Sequence, residues 1–246
     1  VDEGIPVIGI LSDAHGNTAA FRAAIDHLRQ LGAQRFYFLG DAVGYFPTVE
    51  VISELERMGT TVSCVLGNHE DLLLKGGMDR EREPLYGHQL IRNRLTQRQA
   101  AFIRTWPTHC RHSEGQTELL FVHGSPADFT NEYLYPDSDL SRFVLRERFV
   151  FMGHSHYPFI RMVGGTTFVN VGSCGLPRDD GRYGSFATFD PANEEARLYR
   201  FDISKSLASL PADSLSLVHP SVLRLFARRA ASLAGTVIEA KKASNS

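Results

Sequence analysis

The stretch Val7-Ile8-Gly9-Ile10-Leu11-Ser12-Asp13-Ala14-His15-Gly16-Asn17 carries the pattern on which the chain is built. A short apolar run ends at a carboxylate, an imidazole follows two residues later, and then a glycine. Ala19 to Leu31 continues with Phe21, Ala24, Ile25, Leu28 and Leu31 at helical spacing, and Gly32 closes it as a glycine beyond a helix end commonly does. The unit recurs. Phe36 to Leu39 reads as a strand ending at Asp41, Val49 to Met58 as a helix with Val51, Ile52, Leu55 and Met58 on one face, and Thr61 to Leu66 as a strand ending at Asn68. Strand–helix alternation of this kind predicts parallel pairing in an α/β sheet.

Further along, Leu119 to Val122 ends at His123 and Phe149 to Met152 ends at His154, with His156 beyond. Thr166 to Val171, Ser185 to Phe189 and Ala196 to Asp202 make the later chain β-rich, with Gly164-Gly165 and Asp190-Pro191 as turns. The whole 1–246 is expected to be one domain. A charged, mostly helical excursion is expected on its surface at about 72–107. A last helix is expected at about 220–240, striped by Leu223, Phe226, Ala230, Leu233 and Val237. The stripe would dock on the chain's own body or on a second copy, so a monomer or a homodimer is expected.

Composition narrows the partners. The formal charge is -2, from 26 basic and 28 acidic residues, which offers no general attraction to nucleic acid or acidic membranes. No apolar run reaches the roughly 20 residues of a membrane span. Cys64, Cys110 and Cys174 are too few and too scattered for a disulfide framework. The first residues show no signal-peptide pattern. A cytoplasmic setting is the expectation.

The chemistry lies where the strands end. Asp13, His15, Asp41, Asn68, His123, His154 and His156 are all metal-ligand types, and Gly16, Gly40, Gly67, Gly124 and Gly153 flank them. Ligands at the carboxyl ends of neighbouring parallel strands converge on one crevice. Within Asp13-x-His15, positions two apart face the same way if the segment is extended. In a tight turn, His154 and His156 could face different metals. The set suits two adjacent cations that share one carboxylate. Mixed imidazole and carboxylate ligation favours two divalent transition metal ions (Mn, Fe, Zn, Co or Ni), with Mn the first expectation. A water between such ions loses a proton near neutral pH and attacks phosphorus, while the cations offset the developing charge. His69, beside Asn68, is the candidate general acid for the leaving oxygen. His27, His88, His109, His112 and His219 lie outside these motifs and read as solvated or structural.

The five motifs, in this order, resemble the calcineurin-like metallophosphoesterase superfamily over roughly Ile8 to Asp190. The late segment Asn170-Val-Gly-Ser173-Cys-Gly-Leu-Pro177-Arg178-Asp179 resembles that of its small prokaryotic phosphoesterase group. The resemblance implies a four-layer α/β/β/α sandwich with two mixed sheets. It implies a first metal on Asp13, His15 and His156, a second on Asn68, His123 and His154, and Asp41 bridging them. It gives His69 the role of the acid that protonates the leaving group, or of a donor to the phosphate. Protein phosphatases of this superfamily carry an Asp and an Arg where this chain has Gly44 and Tyr45. The carboxylate that would orient His69 is therefore missing. Glu70 or a backbone carbonyl is expected to replace it, and a protein substrate is disfavoured.

The expected activity is hydrolysis of small phosphodiesters or nucleotides by a metal-bridging hydroxide. A dinucleoside polyphosphate hydrolase is the alternative, and a non-catalytic metal-binding scaffold is the remaining reading. The loop Ser125 to Asp139 carries Phe129, Tyr133 and Tyr135 but no Lys or Arg, which suits a nucleotide base better than a nucleic-acid backbone. Arg178 is either a phosphate clamp or, by preference, a partner of Asp179 or Asp180. Cys174 reads as a small buried residue.

Overall fold

The computed structural model describes residues 6–76, 80–210 and 212–238. In chain order the elements are β1 (Val7–Leu11), α1 (Thr18–Gln30), β2 (Ala33–Phe38), α2 (Glu50–Met58), β3 (Val62–Cys64), α3 (Asn68–Lys75), α4 (Glu83–Tyr86), α5 (His88–Arg94), α6 (Gln97–Arg104), β4 (His109–Glu114), β5 (Thr117–Val122), β6 (Phe149–Met152), β7 (Phe159–Val163), β8 (Thr166–Asn170), β9 (Tyr183–Asp190), β10 (Glu195–Asp202), α7 (Ala212–Ser216), α8 (Pro220–Leu225) and β11 (Thr236–Ile238). They form a six-stranded sheet, β11-β10-β9-β1-β2-β3, and a five-stranded sheet, β4-β5-β6-β8-β7. Both are mixed. β1, β2 and β3 pair in parallel, as do β5, β6 and β8, whereas β9 runs antiparallel to β1.

β1 shows why the sheets stack. Its successive side chains alternate between faces. Ile8 and Ile10 pack between the two sheets with Tyr37, Phe121, Phe151 and Phe189, while Leu11 joins the cluster under the helices. Both faces are dry, so the strand reads as a continuous apolar run. α1, α2 and α6 cover the outer face of the six-stranded sheet with Phe21, Ile25, Leu28, Ile52, Leu55 and Ile103. Asn17 caps α1 by accepting from Ala20 N.

The two mixed sheets match the expected sandwich. The fourth layer differs. The outer face of the five-stranded sheet is covered by Leu134 and Leu140, with Phe129, Phe143 and Leu145 alongside. These lie in residues 123–148, which form turns and no helix. Three strands escaped the sequence reading. β4 is polar, β7 sits at a sheet edge with Ile160 and Met162 exposed, and β11 has only three residues.

The expected helix at 220–240 is a correction. α8 stops at Leu225, and the expected range beyond Ile238 falls outside the described residues. Tertiary contacts capture the chain before the stripe can propagate. Gly181 N donates to Arg228 O at 3.1 Å, and Ala230 N donates to the Asp180 carboxylate at 3.1 Å. A Cβ on Gly181 would lie 2.3 Å from Phe226 Cα, so only a glycine admits this approach. The chain then turns at Gly235 (φ 90°) and pairs with β10.

The segment at 72–107 is helical where described, but it is more than a surface excursion. Ile91, Ile103 and Trp106 are buried in the core, and Tyr86 and His88 reach the cluster of histidines described next.

Candidate metal centre

Each expected ligand lies at the carboxyl end of a parallel strand. Asp13 follows β1, Asp41 follows β2, Asn68 follows β3, His123 follows β5, and His154 and His156 follow β6. The exits are left-handed rather than extended. Asp13, His15, Asp41, His154 and His156 have φ of 56°, 49°, 59°, 61° and 60°. This conformation is unfavourable for side chains other than Gly, Asn and Asp. The Asp13 and His15 side chains thus converge through tight turns, not through strand alternation. Strain of this kind concentrates where a site dictates geometry.

Backbone amides use one oxygen of each carboxylate. His154 N donates to Asp13 Oδ2 at 2.9 Å, and His69 N donates to Asp41 Oδ1 at 3.0 Å. The other oxygens face the histidines. Asp13 Oδ1 lies 3.1 Å from His156 Nε2 and 3.6 Å from His15 Nε2. Asp41 Oδ2 lies 3.3 Å from His123 Nε2 and 3.7 Å from His15 Nε2. His123 Nε2 is in turn 2.9 Å from His154 Nδ1 and 3.1 Å from Asn68 Oδ1. Three metal-competent groups result: Asp13 with His15 and His156, Asp41 with His123 and His154, and His15 with Asp41 and His69. The first two are adjacent pockets on either side of Asp41, and Asn68 borders the second.

The donor set fits divalent cations. In all four histidines the nitrogen turned away from the cluster donates to a backbone carbonyl: His15 Nδ1 to Val43 O (3.0 Å), His123 Nδ1 to Leu39 O (2.7 Å), His154 Nε2 to Asn131 O (3.0 Å) and His156 Nδ1 to Leu176 O. Such bonds fix the tautomer and point a lone pair inward. His15 Nε2 and His156 Nε2 then face each other at 3.0 Å, an arrangement that needs a cation or a proton between them. Asp13 Oδ1 is buried without a hydrogen-bond partner. A buried polar atom left so is costly, and a metal ion would satisfy it.

The charges agree. Burial pushes the Asp13 and Asp41 carboxyls up, but the surrounding imidazoles, His156 and His123 foremost, more than reverse this and hold both well below the usual carboxylate range. Burial pushes His123 down, yet Asp41 and Asp13 raise it to about 9. The carboxylates draw positive charge into the cluster, which is what a cation supplies. Burial holds His154 at about 3 and His156 at about 4, in the neutral form that ligates metals.

His69 is brought to the same centre. Its ring lies 4.9 Å from that of His15, edge to face. Its Nδ1 is 2.9 Å from His88 Nε2. His88, expected to be solvated or structural, is 2% exposed and is the group that holds His69. Glu70 does not. Its carboxylate accepts from Asp41 N, Gly67 N and Val43 N at 2.8, 3.2 and 3.2 Å, so it braces the loop carrying Asp41. Gly44 packs against the His69 ring, where a Cβ would come within 2.1 Å of Nδ1. The residue that replaces the missing carboxylate thus comes from α5, about twenty positions downstream of His69 by primary sequence, and only a lone His in a helical pattern announced it.

Arg178 corrects the preferred expectation. Asp179 pairs with Arg200 at 2.9 Å and Asp180 with Arg182 at 2.8 Å, so neither carboxylate takes Arg178. Arg178 Nη2 instead donates to Tyr45 Oη at 2.9 Å. Tyr133 stacks on His154 with ring centroids 3.8 Å apart, and Tyr135 stacks on Tyr133 at 6.1 Å. Both are about two-fifths exposed, at 41% and 39%. Phe129 is turned into the outer-face core instead. Cys174 is buried, and burial pushes its thiol up, as a packing residue requires. No helix among the described residues is long and apolar enough to cross a membrane.

Residues 7–194 match the model of the calcineurin-like phosphoesterase superfamily domain. The chain is 27% identical over 233 residues to the uncharacterized protein MJ0912 of Methanocaldococcus jannaschii, covering 85% of this chain and 93% of that one. Its fold is similar to that of the hypothetical protein PH1004 from Pyrococcus horikoshii, with a TM-score of 0.72, 20% identity, and coverage of 87% of this chain and 98% of that one. A metallophosphoesterase from Sphaerobacter thermophilus is similar with a TM-score of 0.64, 21% identity and the same coverage of 87% and 98%.

Proposed function

The chain belongs to the calcineurin-like phosphoesterase superfamily, and from that premise we propose that it hydrolyses small phosphodiesters or nucleotides at a two-metal centre. The supporting observation is the pair of buried Asp/His pockets that meet at Asp41. Asp13, His15 and His156 would hold one cation, Asn68, His123 and His154 the other, and Asp41 both. Two cations so held would supply an activated water and offset charge on the phosphoryl oxygens.

The chain's own residues do the rest. The carbonyl-anchored imidazoles arrive with their lone pairs already aimed, so binding needs little reorganisation. Burial holds the His69 pKa well below its usual value, so the ring is neutral in the free site. With His88 Nε2–H donating to its Nδ1, the His69 proton sits on Nε2, the nitrogen free to face the leaving oxygen. An arriving phosphate anion favours the charged form of that ring, in which Nδ1–H donates to a neutral His88 Nε2 and Nε2–H is the proton available to the leaving oxygen. Tyr133 and Tyr135 present two near-parallel aromatic faces, 11° apart, at the edge of the centre. Flat faces of this kind suit a base or an aryl group.

The test is hydrolysis of bis-p-nitrophenyl phosphate and a nucleotide panel by chelator-stripped protein with Mn²⁺, Co²⁺, Ni²⁺ or Ca²⁺ added back. Transition metals should restore turnover better than Ca²⁺. Asp41→Asn should lower metal content at both sites together. Full activity in the stripped protein ends the proposal.

A further inference from the structure

The turn after Gly172 delivers a guanidinium to the mouth of the centre without an acidic partner. Among the described residues, Arg178 makes no ion pair with a carboxylate. Its side-chain hydrogen bond goes to a phenol, Nη2 donating to Tyr45 Oη at 2.9 Å, and Tyr133 lies near enough to act on its charge. Those two rings locate it. Tyr45 packs edge-on against His15 at 4.8 Å and lies 5.0 Å from His69, while Tyr133 stacks on His154 at 3.8 Å. The guanidinium therefore lies beside rings that border both candidate metal pockets.

The surroundings keep it there. Asp179, the next residue, is tied to the fully buried Arg200, which also donates to Tyr183 O at 3.1 Å. Arg228 Nη1 donates to Arg178 O at 3.0 Å. Tyr45 holds a left-handed φ of 66°, the same strained conformation as the candidate ligands. A partly buried cation normally pairs with a carboxylate. Here the two carboxylates that follow it in sequence are used elsewhere, and the cation is held by the Tyr45 hydroxyl, which can rotate to receive an anion.

We infer that Arg178, with the hydroxyls of Tyr45 and Tyr133, forms an anion subsite that binds a non-bridging oxygen of the phosphate undergoing hydrolysis. This rests on the two-metal reading of the centre. Phosphate recognition by a guanidinium is charge-assisted and can use two parallel N–H donors, and it gains strength where water is excluded. It would also meet the charge that builds on the phosphoryl oxygens during reaction.

The test is calorimetric titration of orthophosphate into the metal-loaded protein, which needs no turnover and so separates this subsite from the hydrolytic activity. Arg178→Gln should raise the phosphate Kd by about ten-fold or more, a charge-assisted hydrogen bond's worth. Metal content should stay at the parental value. Arg178→Lys, which keeps the charge but not the fork, should fall between. Tyr133→Phe removes only a hydroxyl and should raise Kd by about three-fold, so the assignment remains testable if Arg178→Gln folds poorly. Unchanged orthophosphate affinity in a folded, metal-replete Arg178→Gln, or in Tyr133→Phe, overturns the assignment. So does weaker pyrophosphate binding with orthophosphate unaffected, since that places the guanidinium on a second phosphate.

Discussion

His69 and His88 meet ring nitrogen to ring nitrogen, with Nδ1 of the first 2.9 Å from Nε2 of the second and their planes 80° apart. The two rings come from different helices, α3 and α5, and both are buried. An imidazole, and not Glu70 or a backbone carbonyl, thus holds His69. It carries no negative charge, so it orients His69 without raising that ring's proton affinity.

That relationship predicts a graded effect. His69→Gln should lower kcat by about 10²–10⁴-fold for poor leaving groups, the usual range for general acid catalysis. His88→Ala should lose about ten-fold or more on the same substrates, because the wrong tautomer and a loose ring become available. His88→Gln can still donate a hydrogen bond and should recover part of the loss. KM and metal content should hold, and the deficit should shrink for p-nitrophenolate. Equal losses for all leaving groups would make both residues phosphate binders instead.

His88 also ties stability to pH. Burial, helped by Arg92 and His15 and only partly opposed by Asp41, lowers its pKa to about 4, against 6.5 for a free imidazole. Between those values the unfolded chain binds a proton that the folded chain refuses. The stabilising contribution is therefore complete above pH 6.5 and is lost as pH falls toward 4, up to about 3 kcal/mol for this group. Urea unfolding across that window should show His88→Gln with a shallower slope than the parent. Parallel slopes would count against a neutral buried His88.

Gly44 tests the space around the same ring. Its φ of 97° is strained for any side chain, and a Cβ would lie 2.1 Å from His69 Nδ1. Gly44→Ala should cost more than the roughly 1 kcal/mol of an ordinary glycine replacement. It should also lower kcat toward the His69→Gln level while metal content stays near the parental value. Parental kcat in a folded Gly44→Ala protein would show that His69 does not depend on that contact.

Tyr135 addresses selectivity apart from the metal ligands. Its ring meets Tyr133 and Tyr157, neither of them a candidate ligand. Tyr135→Ala should raise KM for a nucleotide substrate by about ten-fold, roughly one stacking contact. A small aliphatic diester should be hydrolysed as before. If both substrates respond alike, the tyrosine pair serves the loop rather than the substrate.

Much of this molecule is legible in one dimension. Val7–Leu11, Phe149–Met152 and the other apolar runs declare buried strands because a strand covered on both faces tolerates little else. The polar residues that end them, from Asp13 to His156, stand out for the same reason. Their convergence depends on parallel order, which the intervening helices announce. What folding alone decided are relations between segments with no local signature. His88 became the support of His69 because α5 packs where Gly44 leaves room. Arg178 turned to the tyrosines because Arg200 and Arg182 had taken its neighbours' carboxylates. The stripe from Leu223 to Val237 fits a helix locally, yet hydrogen bonds to Asp180 and Gly181 and the edge of β10 hold most of it in other forms. Periodicity reports which face of an element is apolar. Which distant partner meets that face is a matter of competing contacts, and those exist only once the chain has packed.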